Sequence, residues 1–259
     1  MLITFSKYQG TGNDFIIIDN REQKLALTTT QIIKLCDRKF GVGADGLILL
    51  ENENGCHFRM VYFNADGNES SMCGNGGRCI TALARKLNLF EKTACFMAID
   101  GLHQATCDEN VINLRMKNVD EIENFGNYFL ADTGSPHVVC FVSNLKTLSV
   151  FDEARKIRYN DQFSDKGTNV NFVEINNERL FVRTYERGVE DETLSCGTGV
   201  TAAAIVSHHL GKITKNNIEV VTPGGKLNVK FENAIPGYYN HVYLSGPATF
   251  VFEGRIELR

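Results

Sequence analysis

The sequence predicts an α+β protein of two pseudo-symmetric, β-rich halves. Each half is a curved sheet or barrel around one central helix, and the functional site lies in the cleft between them. Three observations predict this: an internal repeat, local signals that are mostly β, and one helix with no polar face. In the repeat, MCGNGGRCITALARKL around Cys73 and SCGTGVTAAAIVSHHL around Cys196 both place Cys-Gly-x-Gly ahead of a helix-like apolar stretch, and the two cysteines lie 123 residues apart. Tyr62 and Tyr185, at the ends of FRMVYF and LFVRTY, keep the same 123-residue separation. TGNDFIII from Thr11 matches TGSPHVVC from Thr133 at 122 residues, and GADGLILL from Gly43 matches GTNVNFVE from Gly167 at 124. Four blocks in one order at near-constant offset divide the chain into halves over 1–117 and 118–246, with a C-terminal strand over 247–259 completing the first.

The elements follow from local pattern. HQATC-DEN-VINLRM and IEVVT-PGG-KLNVKF read as hairpins with Asp-Glu-Asn and Pro-Gly-Gly at their turns. Thr29 or Thr30 is expected to cap a helix running through Arg38. The repeated helices are expected over 75–87 and 198–210, the second stopped by Gly211. TAAAIV (201–206) carries no charge on any face, and a helix apolar all round is normally buried. In a β-rich half, that means a helix enclosed by sheet. The first copy is less pure, because Arg78, Arg85 and Lys86 need water or partners.

Composition bounds the function. Apolar residues make up 43% of the chain and charged residues 22%, which suits a sizeable core and argues against disorder. The net charge is −4, from 27 Lys+Arg against 31 Asp+Glu, without a basic run, so no nucleic-acid partner is expected. Apolar runs such as 15–18 are too short to span a bilayer, so no membrane partner is expected. MLITFSKYQG lacks the order of a signal peptide, and a cytoplasmic location is the expectation. Eight cysteines without any C-x-x-C disfavour zinc ribbons and thioredoxin-type motifs, and most are expected as free, buried thiols.

Cys73 and Cys196 need a different account. A helix start has free N–H groups and about half a positive charge, so a cysteine there has its thiolate favoured. The flanking glycines let a ligand carboxylate come close. Two such starts facing each other surround one small site with two thiols and carboxylate-binding N–H groups. That suits inversion of a stereocentre next to a carboxylate, which needs a base on one face and an acid on the other. The N–H groups would stabilise the enolate-like charge that develops. Neither metal nor cofactor is required in principle.

FNADGNESSMCGNGGRC, TYERGVEDETLSCGTG, the opening KYQGTGNDF, the GSPH block and the terminal GPATFVFEG together resemble the diaminopimelate epimerase family over nearly the whole chain. The resemblance implies two similar domains, each a β-structure around a central helix. It implies interconversion of LL- and meso-2,6-diaminopimelate without pyridoxal phosphate or metal, for lysine and in many bacteria for peptidoglycan. It gives Cys73 and Cys196 the part of the catalytic thiols, and the N–H groups of Gly74, Asn75, Gly197 and Thr198 that of holding the reacting carboxylate. Asn13, Asn64 and Asn169 resemble substrate-binding amides, while Glu186 and Arg187 resemble the groups that meet the ammonium and distal carboxylate. His137 and Glu186 resemble groups that tune the thiols. A homodimer is a further expectation.

Four departures from the family pattern stand out. Ser135 replaces an asparagine of GNPH, so its contact with the distal end of the substrate would need a water. Gly46 stands where some members have glutamine. The Glu186–Cys196 stretch is one residue longer than in some members. Phe252 replaces a tyrosine that is sometimes linked to dimer contacts.

Plainer readings stand beside these. Asn13, Asn64 and Asn169 are also good turn residues. Asp14 and Asp66 are expected to shape turns, Cys79 to pack, and His208 and His209 to complement a helix end. The acidic run 190–192 is expected to be solvated. Three other functions remain open. One is a proline or hydroxyproline racemase-like isomerase of the same architecture. Another is nucleotide binding through GTGVTA, disfavoured because the acidic GVEDETLSC before it is not strand-like. The last is a thiol redox protein.

Overall fold

A computed structural model describes residues 1–109 and 111–258. Asn110 of the Asp-Glu-Asn turn and the last residue of the 247–259 strand lie outside the described residues. The chain forms two compact units, one of Met1–Leu114 with Gly246–Arg259 and one of Arg115–Ser245.

The first unit runs β1 (Leu2–Gly10), β2 (Asn13–Asp19), α1 (Thr29–Cys36), β3 (Gly46–Glu51), β4 (Phe58–Asn64), α2 (Gly74–Lys86), β5 (Thr93–Ala98), β6 (Gly101–Asp108) and β7 (Val111–Arg115), with a C-terminal strand, Thr249–Glu257. The second runs β8 (Ile122–Asn124), β9 (Phe129–Asp132), β10 (Pro136–Phe141), α3 (Val150–Arg158), β11 (Asn169–Asn176), β12 (Arg179–Glu186), β13 (Asp191–Thr193), α4 (Gly197–His209), β14 (Asn217–Thr222), β15 (Gly225–Ile235) and β16 (Tyr238–Pro247).

The duplication is visible in the ladders. β2 pairs parallel with β3, which pairs antiparallel with β4, which pairs parallel with β5. In the second unit β10, β11, β12 and β14 repeat that order of parallel, antiparallel and parallel pairs. The register carries over as well: Phe15 opposes Gly46 and, 122 and 123 residues further on, His137 opposes Asn169. In the first unit the C-terminal strand lies antiparallel to β1, so that Leu2 opposes Glu257 and Phe5 opposes Gly254.

Each repeated helix is lined by strands of its own unit. α4 packs on β9 to β12, β14 and β15, and its residues from Gly199 to Ser207 are all buried. Burying Val200, Ile205 and Val206 stabilises this arrangement by about 1.5–3 kcal/mol each. The hydroxyls of Thr201 and Ser207 donate back to the Gly197 and Ala203 carbonyls at 2.9 and 2.7 Å, so neither is stranded in the core. α2 packs on β1 to β4 and β6. Its Arg78 finds protein partners instead of water, as described below.

Two local expectations change. α1 is capped by Thr28, with a full capping box to Gln31, and it ends at Cys36. It stops there because the Asp37 carboxylate accepts the Lys39 and Phe40 N–H groups at 2.7 Å, a local alternative to another helical turn. In the second hairpin Thr222 opposes Gly225, leaving Pro223 and Gly224 as the turn.

Candidate active site

The two cysteine motifs are built alike. Cys73 is the N-cap of α2 and Cys196 the N-cap of α4, both with extended backbone and neither using its side chain as the cap. Gly77 N–H donates to the Cys73 carbonyl at 2.7 Å and Val200 N–H to the Cys196 carbonyl at 3.0 Å. Neither sulfur is used as a cap, and each stands at a helix start whose first-turn N–H groups belong to Gly74 and Asn75 or to Gly197 and Thr198.

Around Cys73 the neighbours are amides tied to charges. The Cys73 Sγ lies 3.6 Å from Asn13 Oδ1, which also accepts Asn75 Nδ2 at 3.2 Å. Asn13 Nδ2 donates to Asp45 Oδ2 at 2.7 Å. Arg38 bridges Asp45 and Asp14, and Asp14 also pairs with the buried Lys7 at 2.7 Å. Despite partial burial, hydrogen bonds and charge from Arg38 and Lys7 pull the Asp14 carboxyl down to about 2. Asp14 therefore anchors an ion-pair network, whereas Asp66 does shape a turn by accepting Asn68 N–H at 2.9 Å.

Asn64 ends β4 opposite Gly46. Its carbonyl accepts Gly67 N–H at 2.9 Å, the turn position the plain reading expects, while its side-chain amide makes no hydrogen bond among the described residues. A Cβ at Gly46 would sit 2.6 Å from the Tyr62 ring and 2.7 Å from the Phe63 carbonyl, which explains why no larger side chain stands there.

Around Cys196 the neighbours are neutral and buried. His137 is fully buried, and burial holds its pKa near 3. Asn171 Nδ2 donates to His137 Nδ1 at 3.1 Å, while Asn171 Oδ1 accepts Thr184 Oγ1 at 2.9 Å and so fixes the direction of the amide. The imidazole is thus neutral with its proton on Nε2. That N–H faces Thr198 Oγ1 at 2.8 Å and Ser135 Oγ at 2.9 Å. Thr198 Oγ1 in turn lies 3.4 Å from Cys196 Sγ, where its hydroxyl can donate to a thiolate.

Asn169 continues the network. Its Nδ2 donates to Ser135 Oγ and the Pro136 carbonyl at 3.2 and 3.0 Å, and its Oδ1 accepts Arg187 N–H at 2.9 Å. Arg187 donates to the Lys166 carbonyl at 2.8 Å. Glu186 accepts the Thr193 hydroxyl.

Two residues of the acidic run that follows are structural, contrary to their expected solvation, whereas Asp191 is exposed as expected. Glu190 accepts Tyr159 and Tyr185 hydroxyls at 2.8 and 3.1 Å, pairs with Arg158, and accepts Gly188 N–H at 3.1 Å. Glu192 binds Arg183 through both oxygens at 2.6 Å. Glu190, Asp45 and Asn171 are the supporting residues that sequence reasoning missed. Asn171 carried a signal, since it lies two residues from Asn169 and so on the same face of β11.

Among the other cysteines, Cys79 is wholly buried and its thiol is pushed up to about 12. Cys56 and Cys95 are in sulfur–sulfur contact at 2.9 Å. His208 packs edge-on against Phe231 and Tyr239 and bonds the Tyr239 hydroxyl at 3.2 Å. No helix among the described residues is long and apolar enough to cross a membrane.

Solved structures share this fold. A Bacillus anthracis phenazine biosynthesis protein of the PhzF family superposes with a TM-score of 0.76 at 17% identity, covering 100% of both chains. A hydroxyproline epimerase from Agrobacterium vitis gives 0.69 at 12% identity, covering 98% of this chain and 92% of its own. A duplicated β-rich fold with one cysteine at the start of the central helix of each repeat defines the class by fold: a two-unit α+β protein. The diaminopimelate epimerase family model matches residues 5–120 and 129–251. The diaminopimelate epimerase of Flavobacterium psychrophilum is 56% identical over 255 residues, 96% of this chain and 98% of that relative. The chain belongs to the diaminopimelate epimerase family.

Proposed function

We propose that the chain interconverts LL- and meso-2,6-diaminopimelate by a two-base reaction in which Cys73 and Cys196 serve opposite faces of one α-carbon. The observation that carries this reading is the matched placement of the two cysteines as N-caps of the repeated helices, sulfurs uncommitted to capping. One thiolate takes the α-hydrogen as a proton. The electron pair left on carbon spreads into the α-carboxylate, where the N–H groups of Gly74, Asn75, Gly197 and Thr198 stabilise it. The other thiol gives its proton to the opposite face and becomes the thiolate, and the reverse reaction exchanges the two parts. The reaction is proton-balanced and calls for no metal or organic cofactor.

Arg187 suits the distal carboxylate, because its planar fork binds in two places. Glu186 suits the distal ammonium. Asn13, Asn64 and Asn169 supply amides for the rest of the substrate, with Ser135 alongside Asn169. His137 acts on Cys196 through Thr198, and Glu186 is the second group proposed to tune the thiols. A proline or hydroxyproline racemase-like reading shares only the fold, and those ring substrates have no second amino-acid head for Arg187 to hold.

The product would supply lysine and peptidoglycan synthesis in the cytoplasm. A homodimer would form along the C-terminal strand, where Phe250, Val251 and Phe252 are 42%, 51% and 44% exposed at a bulge in the ladder with β1. The test of the reaction is incubation of reduced protein with LL-diaminopimelate and no added cofactor, followed by chiral separation. Appearance of the meso form is expected. Epimerisation of hydroxyproline without conversion of diaminopimelate would overturn the reading.

A further inference from the structure

We propose that Arg78 is a positioning residue for the Cys73 half of the reaction: it brings a buried permanent charge to the start of α2 and, through Asn75, sets which way the Asn13 amide faces. The proposal rests on the two-thiol reading above, although its test does not.

Arg78 is fully buried, and a guanidinium stays protonated under all ordinary conditions. Its partners are all neutral oxygens: Asn75 Oδ1 at 2.9 Å, the Gly74 carbonyl at 3.2 Å, the Pro247 carbonyl at 3.4 Å and Thr11 Oγ1 at 3.5 Å. Among the described residues, no ion pair includes it. A buried charge without a counter-charge is costly, so any anion that forms nearby is favoured. Two thiols share its field, Cys73 and Cys79. Cys79 is too deeply buried to ionise, which leaves Cys73.

The other charged groups around α2 are engaged elsewhere or stand at its far end. Lys7 of β1, Asp14 of β2, Arg38 and Asp45 form one network. Glu51 of β3 accepts Asn20 Nδ2, and Arg59 of β4 pairs with Glu53. Asp100, which accepts Met72 N–H, pairs with His103 of β6. Arg85 and Lys86 sit in the last turn of α2, at the opposite end from Cys73.

The amides follow from the same contact. Because Asn75 Oδ1 faces Arg78, its Nδ2 is left to donate to Asn13 Oδ1. Asp45 claims Asn13 Nδ2 from the other side. Two charged groups thus set two amides, and the Asn13 oxygen is held beside the Cys73 sulfur. The second unit has no such device: the position 123 residues after Arg78 is Thr201, whose hydroxyl simply returns to the Gly197 carbonyl.

The test is alkylation by iodoacetamide across pH, read separately for Cys73 and Cys196 by peptide mass spectrometry, in wild type, Arg78→Lys and Arg78→Met. Wild-type Cys73 is expected to reach its midpoint below the free-thiol value of about 8.5. Arg78→Met is expected to raise that midpoint by about one pH unit or more while leaving Cys196 in place. Arg78→Lys keeps the charge and loses the fork, so the Cys73 midpoint stays near wild type while KM rises.

A folded Arg78→Met with an unmoved Cys73 midpoint overturns the proposal, and so does an equal shift at both cysteines. Should Arg78→Met fail to fold, the wild-type midpoint decides: below the free-thiol value supports the proposal, and at or above it overturns it. Alkylation needs no substrate. A protein inactive on diaminopimelate with an Arg78-dependent thiol would overturn the epimerase reading alone, and an active one with an indifferent thiol would overturn Arg78 alone.

Discussion

Asn169 accepts the backbone N–H of Arg187 through its side-chain oxygen at 2.9 Å, so the amide that bonds Ser135 also fixes the turn carrying the proposed carboxylate-binding arginine. The far side of that turn is held by Glu190, whose φ of 57° lies in the left-handed region and is sustained by four partners.

Glu190→Ala removes those partners without touching the thiols. KM for diaminopimelate is expected to rise about tenfold, equivalent to about 1.4 kcal/mol, while kcat changes much less. Steady-state kinetics decide this. An unchanged KM would mean that the turn holds its shape without Glu190.

Thr198→Val removes the hydroxyl between His137 and Cys196 at nearly constant volume. A hydrogen bond to a charged group contributes about 1.5–3 kcal/mol, so the Cys196 thiolate should form at higher pH and kcat fall about tenfold or more. The pH dependence of kcat, compared with wild type, reads this. An unmoved profile would remove Thr198 from the relay.

Gly199→Ala tests the packing of the same corner. A Cβ there would stand 2.3 Å from Asn171 Oδ1 and 3.3 Å from His137 Cε1. Overpacking of this kind costs about 1–3 kcal/mol. Urea unfolding should show that loss together with reduced activity, and a variant of native stability would contradict the packing described here.

His137 gives a pH dependence of definite sign. Its folded pKa near 3 lies below its unfolded value of about 6.5. The unfolded chain therefore takes up a proton as pH falls below about 6.5, while the folded protein refuses it until about 3, and stability drops across that window by about 1.4 kcal/mol per pH unit. Burial also lowers His208, which adds loss of the same sign. Asp14, held at about 2, contributes only at lower pH, as the pH falls below its ordinary 3.8. Urea unfolding at pH 7, 6 and 5 should show a steeper acid loss in wild type than in His137→Gln, and parallel curves would contradict the assignment.

Much of the fold was legible because a duplication writes each constraint twice. The register shared by Phe15–Gly46 and His137–Asn169 is the physical form of the repeat seen in the letters. α4 was legible because a chargeless helix has to be buried. α3 escaped notice: only Val150 and Ala154 are buried on it, and Arg155, Lys156 and Arg158 make the segment look like surface. Within the candidate site, the two cysteines proposed to carry the chemistry announced themselves through flanking glycines, but their supports did not. Glu190 in a run of acids looks solvated until Tyr159, Tyr185 and Arg158 arrive from distant parts of the sequence. Asp14 looks like a turn former until Lys7 and Arg38 reach it. Long-range pairing leaves no local pattern to read.

The central claim is that both sulfurs are needed to invert one carbon. Conversion of LL-diaminopimelate to the meso form, measured under reducing conditions for wild type, Cys73→Ala and Cys196→Ala with folding checked by circular dichroism, tests it most directly. Either substitution is expected to abolish conversion in a folded protein. Near-normal turnover after loss of either sulfur would contradict it.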